Sequence, residues 1–164
     1  MNHVYFMARK CEGGKDFFRC YNAVDLFARS EMFTRGRIHP VQIRVGETYL
    51  ETMVDMDLTV FPGREYAVCI SDGTVPARVV YLGDGRHRLI WNRVELEVRY
   101  RNLRWKFFLG GKHLASMIPV DTADPIGAIL KGRWTPRYTM MSRAELPEIL
   151  AALMLHFPML QIGI

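Results

Sequence analysis

At 164 residues with 49% hydrophobic content, the chain has enough apolar material for one well-filled core and too little length for two independent ones, so a single domain over 1–164 is expected. Its 22 Lys and Arg against 17 Asp and Glu give a net charge of +5, which favours an anionic partner; the charges are dispersed rather than blocked, which argues against a nucleic-acid-binding tail. Three cysteines, Cys11, Cys20 and Cys69, lack the paired spacing of a zinc site or a secreted disulfide framework, and the first ten residues lack a signal-peptide core, so reduced thiols and a cytoplasmic location are expected.

In the first half, Val4 to Ala8, Phe17 to Tyr21, Ile38 to Val45, Tyr49 to Val60 and Glu65 to Ile70 read as short strands separated by Gly, Pro or charged turns. Phe61-Pro62-Gly63-Arg64 has the composition of a tight turn. From residue 75 to 140 the pattern stays β. Ala77 to Leu82 and His87 to Trp91 flank Gly83-Asp84-Gly85, whose Asp-Gly step signals a two-residue hairpin.

Val94-Glu95-Leu96-Glu97-Val98-Arg99-Tyr100-Arg101 alternates apolar and charged residues, giving one core face and one wet face. With Asn92-Arg93 as the preceding turn, Leu89 falls opposite Leu96 and Arg88 opposite Glu97. A following turn at Arg101-Asn102 pairs Val98 with Trp105, Leu96 with Phe107, Glu97 with Lys106 and Arg99 with Arg104. The strand Leu103 to Phe107 ends at Gly110-Gly111. Ala128 to Leu130 and Arg133 to Met140 supply later strands, for about ten to twelve in all.

Ser142-Arg143-Ala144-Glu145 has the spacing of a capping box and predicts a helix start. Ile149 to Leu155 is wholly apolar and Phe157-Pro158-Met159-Leu160 resumes the run after His156, so the helix has no solvent face and must be surrounded. A surrounding made of strands is a closed antiparallel β-barrel around a central C-terminal helix. The run is interrupted by His156, Pro158 and Gln161 and falls short of the ~20 residues a membrane span needs.

A chain of short antiparallel strands with turns such as Tyr81-Leu82-Gly83-Asp84-Gly85, a late Trp105-Lys106-Phe107-Phe108 segment and a final apolar helix from Glu148 to Phe157 resembles the tubby C-terminal-like superfamily, which includes the LURP-one-related proteins and the phospholipid scramblases. The resemblance covers essentially the whole chain. It implies a barrel of about a dozen strands around a hydrophobic C-terminal helix. In the animal members it also implies phosphoinositide headgroup binding through Lys and Arg.

Candidate sites follow from residue chemistry. Asp55-Met56-Asp57 places two carboxylates on one strand face, a pattern that acid/base chemistry and ordinary solvated strands share. No nucleophile elbow, zinc helix or nucleotide fingerprint is present, so neither a cofactor nor a metal is expected; Gly13-Gly14-Lys15 and Gly110-Gly111-Lys112 read as hairpin turns rather than phosphate loops. His3, His39, His87, His113 and His156 show no ligand spacing, and His156, a polar ring within an apolar helix, needs a hydrogen-bond partner or a position at the barrel mouth. Met53, Met56, Met140, Met141, Met154 and Met159 read as core filler.

Arg99, Arg101 and Arg104 cluster at a hairpin tip without an evident local acid and are the candidate anion or headgroup site. The leading functional expectation is a non-enzymatic barrel binding anionic phospholipid headgroups or an acidic protein, peripheral at a membrane. A carrier of a small apolar ligand is the alternative, excluded if Ile149, Leu150, Leu153 and Phe157 fill the lumen. A hydrolase-type enzyme comes last.

Overall fold

The computed structural model describes residues 2–33, 38–55, 59–71, 77–120 and 134–161, with the side chains of 54 and 67–71 excluded. The described chain is mainly β: β1 (His3–Glu12), β2 (Lys15–Asn22), β3 (Asp25–Phe33), β4 (Ile38–Val45), β5 (Thr48–Asp55), β6 (Glu65–Ser71), β7 (Ala77–Gly83), β8 (Arg86–Trp91), β9 (Val94–Arg101), β10 (Arg104–Leu109), β11 (Lys112–Pro119) and β12 (Thr135–Ser142). Two helical segments follow, α1 (Glu148–Leu155) and α2 (Phe157–Leu160).

The strands form one antiparallel sheet in which each pairs with its neighbours in sequence, and β1 pairs with both β2 and β12. Between β5 and β6 the register joins Leu50 to Ser71 and Glu51 to Ile70. Tight turns dictate the meander. Gly13-Gly14, Asp84-Gly85 and Gly110-Gly111 all have positive φ, the conformation that matches hairpin twist. The Phe61 carbonyl accepts the Arg64 N–H at 3.0 Å across Pro62-Gly63, the tight turn that composition indicates.

Strand alternation sends one residue set inward. Met7, Val41, Ile43, Leu89, Leu96, Val98, Phe107, Met117 and Met140 are all fully buried, and so are Ala151, Ala152, Leu153, Met154, Leu155, Phe157 and Leu160 from the helices. The helix is buried on every side, as its unbroken apolar run requires. Each buried Leu, Met or Phe contributes roughly 1.5–3 kcal/mol, so the helical side chains rival the net stability of a whole domain. Two polar ties fix the segment along its length. Tyr5 on β1 accepts the Leu146 N–H through its phenol oxygen at 2.9 Å, and Trp105 on β10 donates its indole N–H to Gln161 at 2.8 Å.

Several expectations are revised. The Ser142 side chain does not cap the helix: it belongs to β12, its hydroxyl donates to the Ala144 carbonyl at 2.7 Å, and α1 begins later, after Pro147. A hydroxyl engaged in a local turn is lost to the helix start. β5 is described over Thr48–Asp55, and residues 59 and 60 are irregular, so the 49–60 strand does not run to its expected end. β3 (Asp25–Phe33) and β11 (Lys112–Pro119) add two strands to those expected from the sequence. Met53 and Met141 are 60% and 48% exposed and are not core, whereas Met140 and Met154 are buried and Met159 packs against the core. Met56, Asp57 and the 128–130 strand lie outside the described residues.

Candidate anion-binding face

The alternation of β8, β9 and β10 places His87, Leu89, Leu96, Val98, Trp105 and Phe107 inward. The intervening charged residues therefore share the outer face. The β8–β9 register is the one Asn92-Arg93 implies, with Leu89 opposite Leu96 and Arg88 opposite Glu97. The same register sets Arg86 opposite Arg99, which adds a cation to the expected cluster.

The β9–β10 register differs by two residues from the sequence expectation. The turn is Asn102-Leu103, both at positive φ, so Arg101 pairs with Arg104, Tyr100 with Trp105 and Arg99 with Lys106. Arg86, Arg99 and Lys106 thus form a cross-strand row of three cations, with the Arg101–Arg104 pair beside them at the strand ends. Like charges directly opposite each other destabilise a sheet, so this row carries a local cost.

Arg99 is not without an acid, contrary to the sequence expectation. Its Nε donates to Glu97 at 2.9 Å and its guanidinium lies 4.2 Å from the centre of the Phe108 ring, which fixes its direction over the sheet. The hydrogen bond from Arg99, with Arg86 and Arg88 also nearby, holds the Glu97 carboxyl below its usual range despite a smaller opposing effect of burial. Arg101, Arg104, Arg86 and Lys106 form no ion pair among the described residues.

Two adjoining surface grooves lie along this face. One, about 540 Å³, is lined by Arg99, Arg101, Asn102, Arg104, Lys106 and Phe108; the other, about 620 Å³, adds Arg86, Tyr100 and the turn Asp84-Gly85. Gly85 brings that turn against β9: the Tyr100 N–H donates to the Gly85 carbonyl at 2.8 Å, and a Cβ on residue 85 would lie 2.6 Å from the Tyr100 oxygen. Only glycine permits this approach. At the tip, Leu103 is 62% exposed and holds φ +59, a backbone state costly for a branched side chain.

The other candidates lie elsewhere. His156 is fully buried; its Nδ1 faces the Ala152 carbonyl at 2.6 Å and its Nε2 faces the Ser30 hydroxyl. A carbonyl can only accept, so Nδ1 carries the proton and Nε2 accepts from Ser30. Burial depresses the ring's pKa to about 4, against a smaller upward effect of the Ala152 carbonyl, so His156 is a neutral structural residue at pH 7. His87 is also fully buried, among the rings of Tyr66, Tyr81 and Phe157. His113 sits by Ser116 at 2.7 Å, and partial burial with Arg143 and Lys106 nearby lowers its pKa.

Cys20 is buried, which pushes its thiol pKa far up, and exposed Cys11 donates to Asp16 at 2.8 Å, which also raises its pKa. The Cys69 side chain lies outside the described set. Of the Asp55 and Asp57 pair, Asp55 ends β5 and Asp57 lies outside the described residues. Among the described residues no three His, Cys, Asp or Glu side chains converge as metal ligands would, and no helix is long and apolar enough to cross a membrane. No protein-family model, curated protein or solved structure matches this chain.

Proposed function

We propose that the chain is a non-enzymatic tubby-like barrel, cytoplasmic and peripheral at membranes, that binds anionic phospholipid headgroups through Arg99, Arg101 and Arg104, joined by Arg86 and Lys106. The observation that carries this reading is the cation row beside an exposed apolar tip. Arg86 and Lys106 each oppose Arg99 from either side, and Arg101 and Arg104 flank the Asn102-Leu103 turn. The protein bears both like-charge repulsion and a left-handed leucine there, offset in part by the Arg99–Glu97 pair, while Arg86, Arg101, Arg104 and Lys106 form no ion pair among the described residues. A surface offering phosphates to the arginines would relieve the repulsion, and one offering hydrocarbon would bury the exposed Leu103 side chain.

The barrel part of the reading draws support from β1 pairing with both β2 and β12 and from the burial of the helix on all sides. Leu150, Leu153 and Phe157 occupy the interior that an apolar ligand would need, which speaks against the carrier alternative. The exposed Leu103 favours lipid over an acidic protein. At roughly 1 kcal/mol per basic residue, five cations supply on the order of 5 kcal/mol, a sub-millimolar and salt-sensitive affinity.

Cosedimentation with phosphatidylcholine vesicles carrying increasing phosphatidylserine tests this directly. Binding should rise with the anionic fraction and fall steeply as salt is raised from about 50 to 500 mM, where the screening length shrinks several-fold. Equal binding to neutral and anionic vesicles, or none at low salt, would reject the proposal.

A further inference from the structure

A second row of arginines lies on the outer face of β2, β3 and β4. Arg19 is opposite Arg29, and Arg29 is opposite Arg44, which in turn faces Tyr49 on β5. Three arginines thus occupy directly opposed positions on adjacent strands. Arg19 is engaged: its guanidinium stacks 4.2 Å from the centre of the Trp134 ring. Arg29 and Arg44 are exposed and form no ion pair among the described residues. The nearest acid in the groove, Glu31, is taken by Lys15 at 3.8 Å.

The two arginines line an open groove of about 280 Å³ together with Gln42, Tyr49, Phe17 and Glu31. Gln42 lies opposite Glu31 in the next row, so it contributes an amide at the groove edge. Adjacent guanidinium groups on neighbouring strands present two planar donor forks to one ligand, the arrangement suited to the oxygens of a phosphate group. Tyr49 and Phe17 add aromatic surface to the groove lining, where an organic portion could lie beside the phosphate.

We infer that Arg29 and Arg44, with Gln42 and Tyr49, form a binding site for a soluble phosphorylated small molecule, separate from the β8–β10 face. The strand order sets its position. Travelling from β3 to β9 crosses six strand pairings in either direction, so a membrane engaging β8–β10 leaves β2–β4 on the far side of the sheet. A soluble anion, rather than the same membrane, is the occupant that can reach it. The arginine row and its groove are independent of β8–β10, whereas the choice of a soluble occupant rests on the headgroup reading.

Pyrophosphate is the probe, monitored by the arginine Nε–H resonances in NMR at low salt. Pyrophosphate should shift Arg29 and Arg44, and Arg29→Gln with Arg44→Gln should weaken its binding at least about tenfold, as loss of charged hydrogen bonds implies. The double variant should melt at the same or a higher temperature than the parent without ligand, since opposed charges have been removed. Arg29→Lys with Arg44→Lys keeps the charge but not the fork and should bind with intermediate strength. The Arg99, Arg101 and Arg104 triple change to Ser should leave pyrophosphate binding intact.

Absence of any shift, or loss of binding in the triple variant alone, would overturn the site. If phosphatidic acid vesicles bind through Arg29 and Arg44 while free pyrophosphate does not, the occupant is a lipid headgroup and the soluble-ligand inference is wrong.

Discussion

Ser30 on β3 donates its hydroxyl to the Nε2 of His156, joining two fully or nearly buried polar groups 126 positions apart. The bond anchors the end of α1 to the sheet, and the Ala152 carbonyl holds the opposite ring nitrogen. Both nitrogens of a ring at 0% exposure are therefore satisfied, which is what its burial among apolar side chains demands.

Replacing Ser30 by Ala removes the donor and leaves an imidazole nitrogen unsatisfied in the core. The expected cost is about 1–3 kcal/mol, read from the denaturant midpoint. An unchanged midpoint would mean the bond contributes nothing net.

The same histidine sets a pH dependence. Its folded pKa, about 4, lies below the ordinary 6.5, so the unfolded chain binds the extra proton between those values. Stability from keeping the ring neutral is present above pH 6.5 and is lost as pH falls from there towards 4. The shift corresponds to about 3 kcal/mol. Urea midpoints at pH 7.5 and 4.5 should differ in that direction, and His156→Gln should be less stable at pH 7.5 yet lose less between the two.

Helix burial yields a harsher test. Leu153 is at 0% exposure, so Leu153→Asp places an uncompensated charge at the centre of the core. The variant should show no cooperative melting transition by circular dichroism, and truncation before Ile149 should behave alike. Cooperative melting of either would contradict a core organised around this helix.

Much of the fold was legible where turn chemistry and alternation agreed. Asn92-Arg93 fixes the β8–β9 register to the residue, and Asp84-Gly85 places the β7–β8 turn, beyond which the pairing slips by one between Tyr81 and Gly83. The β9–β10 register was misread by two because side-chain matching cannot distinguish such a slip. A shift of two preserves faces, and Val98 finds Phe107 as readily as Trp105. The local turn decided, and it put a leucine where glycine or asparagine is the usual choice. β3 escaped notice because its buried positions are Ala28 and Ser30, a small residue and a hydroxyl suited to the helix and His156 but not visibly apolar. The Ser142 and Glu145 spacing was sufficient for a capping box, yet the Ser142 hydroxyl was spent on the preceding turn. At the candidate site, Arg99, Arg101 and Arg104 were visible as a cluster, whereas Arg86 joined only through the cross-strand register.

Leu103 offers a test in which stability and binding move in opposite directions. Leu103→Gly relieves the left-handed strain and completes an Asn-Gly hairpin turn, so the thermal midpoint should rise, by about 0.5–1 kcal/mol of stability. The same change removes the apolar tip and should weaken binding to anionic vesicles. A variant that is stabilised and binds as before would show that the tip does not enter the lipid.

The most direct measurement is cosedimentation of the Arg99→Ser, Arg101→Ser, Arg104→Ser variant with phosphatidylserine-containing vesicles at moderate salt. Losing three basic contacts at roughly 1 kcal/mol each should lower the affinity at least tenfold, while the melting temperature stays equal or rises slightly as the opposed Arg101–Arg104 charges disappear. A triple variant that binds the vesicles as tightly as the parent would contradict the account.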